Sequence, residues 1–431
     1  MLNFIAGIFT ETPYILRIFI ALILILVVNR FTGNLSIAVL AGSLTLGFWT
    51  GFGIQELGFI AWQRFSSLDN IFLLLVIFAV IWLSTQMSET GIMQDLVDSI
   101  RSRVSRRISM AVLPAVLGLL PMPGGALFSA PLVDSCDEKK EIQPLLKTKI
   151  NYWFRHIWEY WWPIYPGVLL AIDISGLPVW QFIAFQLPIT FSVIVIGYFF
   201  FLRKIGDSKQ SVQKPEGHFF SLIMPIIVII FLYIVIRLVM PFIYEFSKYL
   251  PMFIGIVCAI FLIQRQRPLS LQDWKSIILS KKTFNLVFIV ALIRIYGAII
   301  EARLPGGNYI MDFVRSELFS IGFPVIFIIL LIPFISGMTT GIAVGFVGIS
   351  FPIVISLIGQ NPDFFTLIST IVLAFGFGYM GMILSPVHVC LIVTNKYFKT
   401  RMLHSLLSLV KPVIVLLIIV FLYYFILSAF V

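Results

Sequence analysis

Two clusters of proline and glycine interrupt stretches that are otherwise apolar, and they constrain this chain more than any other feature. The first is Pro121-Met122-Pro123-Gly124-Gly125. The second is Pro333-Phe334-Ile335-Ser336-Gly337-Met338-Thr339-Thr340-Gly341, which begins 212 residues later. Proline removes a backbone donor, and glycine frees the backbone torsions. In hydrocarbon, interrupted backbone persists only where protein or an aqueous cavity satisfies its polar groups. Paired interruptions in corresponding places of two half-chains point to a secondary transporter with its site near the membrane midplane.

The surrounding composition makes the membrane reading necessary. Of 431 residues, 60% are apolar and only 12% are charged, against about 25% charged in soluble domains. The apolar runs are long and continuous, which predicts helices and not the alternating segments of a β-barrel. The net charge of +10 fits basic cytoplasmic loops, and no aromatic-interleaved basic patch suggests nucleic-acid binding. Cys136, Cys258 and Cys390 show no CxxC or metal-ligand spacing and read as inert small apolar residues. HExxH, P-loop and GxSxG signatures are absent, so no enzyme is expected. The first apolar run reads as a membrane span and not as a cleaved leader.

The expected fold is an all-α polytopic membrane protein with about 10 transmembrane helices, two re-entrant hairpins and two inverted-topology repeats. Spans are expected near 15–32, 35–53, 69–87, 151–172, 178–202, 219–240, 249–264, 284–302, 363–385 and 405–430. Hairpins are expected at 109–133 and 322–359; the second is long enough that two full spans are an alternative. The domain plan is scaffold helices at 1–68, repeat 1 at 69–202, linking helices and basic loops at 203–283, repeat 2 at 284–403 and a last helix at 404–431.

Charge supports this plan. With both termini outside and both hairpins turning back, the inside loops hold 21 of the 30 Lys and Arg, and the outside segments hold five. The halves also match in order. Glu89 follows the span before the first hairpin, and Glu301, 212 residues on, follows the span before the second. By the charge pattern, the connecting loops lie on opposite sides, so the repeat is inverted.

Candidate site residues cluster at the breaks. After Pro123, Gly124 and Gly125 a short helix can begin, presenting free N–H groups to an anion. Ser336, Gly337, Thr339 and Thr340 add hydroxyls and accessible backbone at the second tip. Each hairpin is followed by a second break: Trp161-Trp162-Pro163-Ile164-Tyr165-Pro166-Gly167, then the Gly376–Gly381 cluster leading to Ser385-Pro386-Val387-His388. Pro166 and Ser385 are therefore expected to bind substrate. Carbonyls unwound near Gly125, Gly337, Thr339 and Gly381 are expected to hold a coupling ion, and His388 could couple protons. Arg155 and Arg294 are intramembrane cations, costly and so functional by default; either could meet an anionic substrate or pair with a carboxylate. Trp153, Trp158, Trp161, Trp162, Tyr152, Tyr160 and Tyr165 read as an interfacial aromatic belt.

Two inverted halves, each with a hairpin and a broken span, together with the Pro-x-Pro-Gly-Gly tip, resemble the ion-transporter superfamily. That group includes gluconate, citrate and dicarboxylate permeases. The stretches at 120–126 and 385–388 are similar to a prokaryotic family of unknown function (DUF401-like). The resemblance implies a scaffold, a mobile transport domain moving as an elevator and, in many members, a homodimer. It also implies substrate binding between hairpin tips and broken spans. Sodium-coupled carboxylate members carry Ser-Asn-Thr at the tips; here Gly124-Gly125-Ala126 and Ser336-Gly337-Met338-Thr339 stand there instead.

The expected function is a secondary active transporter of a small organic anion, driven by Na⁺ or H⁺, in the cytoplasmic membrane of a prokaryote. No cofactor is expected beyond a coupling Na⁺, and the expected partners are the anion and membrane lipid. The rivals are a channel or lipid-handling permease on the same scaffold, and an intramembrane transferase-like enzyme using His156 and Glu159 as its acid–base pair.

Overall fold

The computed structural model describes residues 11–121, 125–137, 139–206, 219–359 and 361–431. Among these the chain is helical, with no β-strand. The helices are α1 (Tyr14–Thr32), α2 (Leu35–Trp49), α3 (Ile54–Ser66), α4 (Leu68–Glu89), α5 (Ile92–Arg101), α6 (Arg106–Leu117), α7 (Ala126–Ser135), α8 (Pro144–Arg155), α9 (Pro166–Ser175) and α10 (Val179–Gly197). They continue with α11 (Phe219–Val239), α12 (Pro241–Phe246), α13 (Leu250–Gln266), α14 (Leu271–Ile278), α15 (Lys281–Glu301), α16 (Ile310–Ser320), α17 (Val325–Thr340), α18 (Ala343–Leu357), α19 (Phe364–Ile383), α20 (Val389–Phe398) and α21 (Met402–Ser428).

Among the described residues, seven segments are long and apolar enough to cross a membrane: Tyr14–Thr32, Leu68–Glu89, Val179–Leu202, Leu222–Val239, Leu271–Glu301, Phe364–Ile383 and Met402–Ser428. The expected spans at 35–53 and 249–264 fold as the shorter apolar helices α2 and α13. The segment expected at 151–172 is divided between α8 and α9 by a run of turns. α16 and α17 meet at a sharp bend of 119°.

Burial separates centre from rim. In α19, 83% of the most apolar window is buried, against 28% in α1, 28% in α11 and 33% in α21. The rim helices therefore turn apolar side chains outward, as lipid-facing helices do. α17 runs along α19, and α9 packs on α18, so elements of the two sequence halves share one core.

The base of the α6–α7 unit is tied down by charge. Asp137 accepts from the N–H groups of Glu141 and Ile142, and it pairs with Arg106 at 2.6 Å and Lys147 at 3.1 Å. Burial alone would raise the Asp137 carboxyl. The Ile142 N–H, the Lys147 ammonium and the Glu141 N–H outweigh it and hold the group below its usual range.

The breaks fall a few residues away from the expected places. α17 runs through Pro333 without interruption, and the chain turns only at Gly341, whose φ is +66°. Proline is tolerated there because the freed carbonyl lies in a packed interior. Likewise α19 continues through Gly376, Gly378 and Gly381. Those glycines do not unwind the helix; they let backbones touch. A Cβ on Gly337 would lie 2.1 Å from the Gly378 carbonyl oxygen, and one on Gly381 would lie 2.0 Å from that of Phe334. This is the small-residue packing of membrane helices.

Candidate functional site

Four chain interruptions converge on one cavity of about 180 Å³. Pro121 reaches it from the end of α6, and Arg155, His156, Glu159 and Tyr165 from the α8–α9 break. Pro166 and Gly167 come from the start of α9. Gly341 to Val344 come from the α17–α18 turn, and His388, Val389 and Cys390 from the α19–α20 break. The first turns of α9 and α18 thus face the same space. They touch, since a Cβ on Gly167 would lie 2.6 Å from that of Ala343. Helix N-termini carry free N–H groups and partial positive charge.

Arg155 is 3% exposed, and the first break wraps around it. A Cβ on Gly118 would lie 1.9 Å from the Arg155 carbonyl oxygen, and one on Gly125 would lie 2.0 Å from Nη2. Glycine at both places is what allows a guanidinium to reach the cavity wall.

The interrupted backbone is satisfied by aromatic side chains. Trp158 Nε1 donates to the Ala115 carbonyl at 2.7 Å and Trp162 Nε1 to that of Leu119 at 3.0 Å; the Tyr165 hydroxyl donates to that of Gly118. Two further tyrosines cross between the halves. Tyr152 donates to the Ile383 carbonyl at 3.0 Å, and Tyr379 donates to that of His156 at 2.8 Å. The expected interfacial belt is therefore largely internal: Tyr152, Trp153 and Tyr160 are 0–2% exposed. An amphipathic ring suits either setting; here its polar atom serves broken helix and not lipid headgroups.

Three potential metal ligands meet at the cavity. His156 Nε2 lies 3.1 Å from His388 Nε2. The thiol of Cys390 completes a group whose ligand atoms all lie within 4.8 Å of one another. Cys390 as a residue keeps intermediate exposure, but its sulfur is part of this enclosed group. His156 Nδ1 is 2.5 Å from the Tyr152 carbonyl oxygen, and a proton on Nδ1 leaves Nε2 with its lone pair toward the cavity. Glu159 Oε1 stands 3.8 Å from His156 Nε2.

The cavity thus gathers Arg155, Pro166 and His388 from the expected site residues, together with His156 and Glu159 of the rival enzyme pair. Gly125 touches its arginine. Pro123 and Gly124 lie outside the described residues. Gly337 and Gly381 are packing contacts, as above. Ser385 donates to the Met338 carbonyl at 2.7 Å and so ties the α19–α20 break to the end of α17. Thr339 and Thr340 turn their hydroxyls back to the carbonyls of Ile335 and Ser336. Ser336 is fully buried. Arg294 is remote from the cavity and pairs with Asp173 at 2.7 Å; Asp173 also holds Lys248 and the Tyr249 hydroxyl. Of its two readings, the scaffold pairing is the one in place.

Cys390 is the residue that sequence reasoning passed over. Its spacing from His388, two positions on with Val389 between, just after the Ser385-Pro386 break, was the available signal. Neither of the other cysteines has a histidine so close in sequence.

Fold and cavity together define an all-helical membrane protein with a largely apolar cavity between helix interruptions, into which a few ionisable side chains reach. A family model described as "Protein of unknown function (DUF401)" matches residues 15–427, and the chain belongs to that family. No curated protein matches it.

Proposed function

We propose that this protein is a secondary active transporter of a small organic anion, and that the cavity beside Arg155 is its binding site. One observation carries the reading: a buried arginine and the first turns of two helices line the same cavity. A buried cation and two positive helix ends lining one cavity in a membrane interior favour an anionic occupant. Elements also recur in order. A long helix, a short helix, an interrupted pair and a second interrupted pair run from α4 to α9 and again from α15 to α20. The tyrosine exchange supports a pseudo-twofold relation, because each donor lies one turn before the acceptor carbonyl of its own half. On this reading α6–α7 and α17–α18 are re-entrant hairpins of inverted repeats, and access alternates by elevator-like motion.

Either Na⁺ or H⁺ can serve as the driving ion. Sodium would draw on unwound carbonyls, and those of Gly118, Leu119, His156 and Ile383 each accept from an aromatic donor, which leaves one lone pair apiece for a cation. Glu159 supplies a carboxyl in the cavity that can carry a proton.

The test is a thermal-shift panel of small carboxylates followed by proteoliposome uptake of the stabilising compound under a pH or a Na⁺ gradient. Arg155→Gln is expected to cut uptake at least tenfold, about 1.4 kcal/mol, while the protein still reconstitutes. Undiminished uptake in that variant would remove Arg155 from the site. The proximity of His156 to Glu159 keeps the enzyme alternative in view; it predicts substrate turnover in detergent without any gradient.

A further inference from the structure

We infer that His156, His388 and Cys390 form a binding site for one soft transition-metal ion of the Zn²⁺ class, with an open position toward the cavity. This goes beyond anion transport and does not depend on it. Two imidazoles and a thiol are the donor set that zinc and its neighbours prefer over Na⁺, Mg²⁺ or Ca²⁺.

The geometry is close to a tetrahedral site. Zn–N bonds near 2.0–2.1 Å and Zn–S bonds near 2.3 Å place the ligand atoms roughly 3.3–3.8 Å apart. The facing Nε2 atoms stand at 3.1 Å, and the widest separation in the group is 4.8 Å. An adjustment of about 1 Å therefore closes even the widest gap in the group. Outer contacts are partly in place. The Tyr152 carbonyl at His156 Nδ1 fixes the tautomer that presents Nε2, the usual support for a ligating histidine. His388 Nδ1 is buried with no hydrogen-bond partner among the described residues, so metal binding costs this ring only its Nε2 contact with His156.

Without an ion, two imidazole nitrogens face each other across 3.1 Å, and one must carry a proton for contact to be favourable. An ion between them removes that requirement. Protein supplies three ligands, and the fourth direction opens on the space shared with Glu159 and Arg155. That is the layout of a site that keeps one position for water or a ligand oxygen. It also joins α8 of the first half to the α19–α20 break of the second.

The test uses the full chain purified in detergent and titrated with Zn²⁺, and separately with Co²⁺ as a spectroscopic probe. One equivalent of Co²⁺ is expected to bind with thiolate-to-metal charge-transfer absorbance. Cys390→Ser is expected to abolish that absorbance and weaken Zn²⁺ binding at least tenfold, whereas Cys258→Ser, which alters an exposed thiol, changes neither. Wild-type protein that binds no stoichiometric metal at micromolar concentration would overturn the proposal. So would charge-transfer absorbance that persists in Cys390→Ser. If Cys390→Ser does not fold, His388→Gln gives the same decision, since unchanged affinity there removes the site. No readout involves uptake, so failure here leaves the transport reading untouched, and the reverse also holds.

Discussion

The two interruptions that flank the cavity are held by different chemistry. At the first, between α6 and α7, backbone carbonyls are met by Trp158, Trp162 and Tyr165 reaching across from the next break. At the second, where α17 turns into α18, the helix stays intact almost to the tip and its backbone presses on α19 through Gly337 and Gly381. One tip is stabilised by hydrogen bonds to large rings, the other by the absence of side chains. The same problem, broken backbone away from water, has a polar solution and a steric one.

The contrast can be broken most sharply on the steric side. Gly337→Ala places a methyl group about 2 Å from a backbone oxygen, and backbone cannot swing aside as a side chain can. A loss of about 3 kcal/mol or more is expected, read by denaturant unfolding in detergent. Stability within about 0.5 kcal/mol of wild type would mean that α17 and α19 do not touch there.

On the polar side the effect should be intermediate. Trp162→Phe keeps most of the ring but leaves the Leu119 carbonyl without its donor. An orphaned buried acceptor costs about 1–3 kcal/mol. If unfolding of this variant matches wild type while Gly337→Ala collapses, only the steric half of the comparison survives.

The smallest effect is expected where both halves share a link. Ser385→Ala deletes one hydrogen bond to the Met338 carbonyl, worth about 1 kcal/mol. A loss as large as that of Gly337→Ala would show that the α19–α20 break, and not glycine packing, holds the second tip.

Much of the fold was readable because it follows from local chemistry. Long apolar runs predict helices whatever surrounds them, and proline–glycine clusters predicted interruptions near 121, 163 and 386 that are present to within a few residues. Pro333 misled because a proline inside a helix costs little when neighbours satisfy the freed carbonyl. The 376–381 glycines misled for a related reason: glycine permits unwinding and close approach alike, and only the partner helix decides between them. The aromatic residues of 152–165 have the composition of an interfacial belt, and nothing local reveals that their donors point inward. The cavity was half legible. Arg155 and His388 stood out as polar groups in apolar context, but the grouping of Cys390 with His388 is completed by His156, which lies more than 200 residues away in sequence.

The tyrosine exchange has a mechanical consequence. Tyr152 and Tyr379 each donate into the other half's interrupted segment, and Asn151 adds a bond to Thr394 alongside them. Sliding one segment past the other would strip several buried acceptors at once, with no water to replace the donors. Any relative motion of the two halves therefore has to carry the crossed pair as a single body.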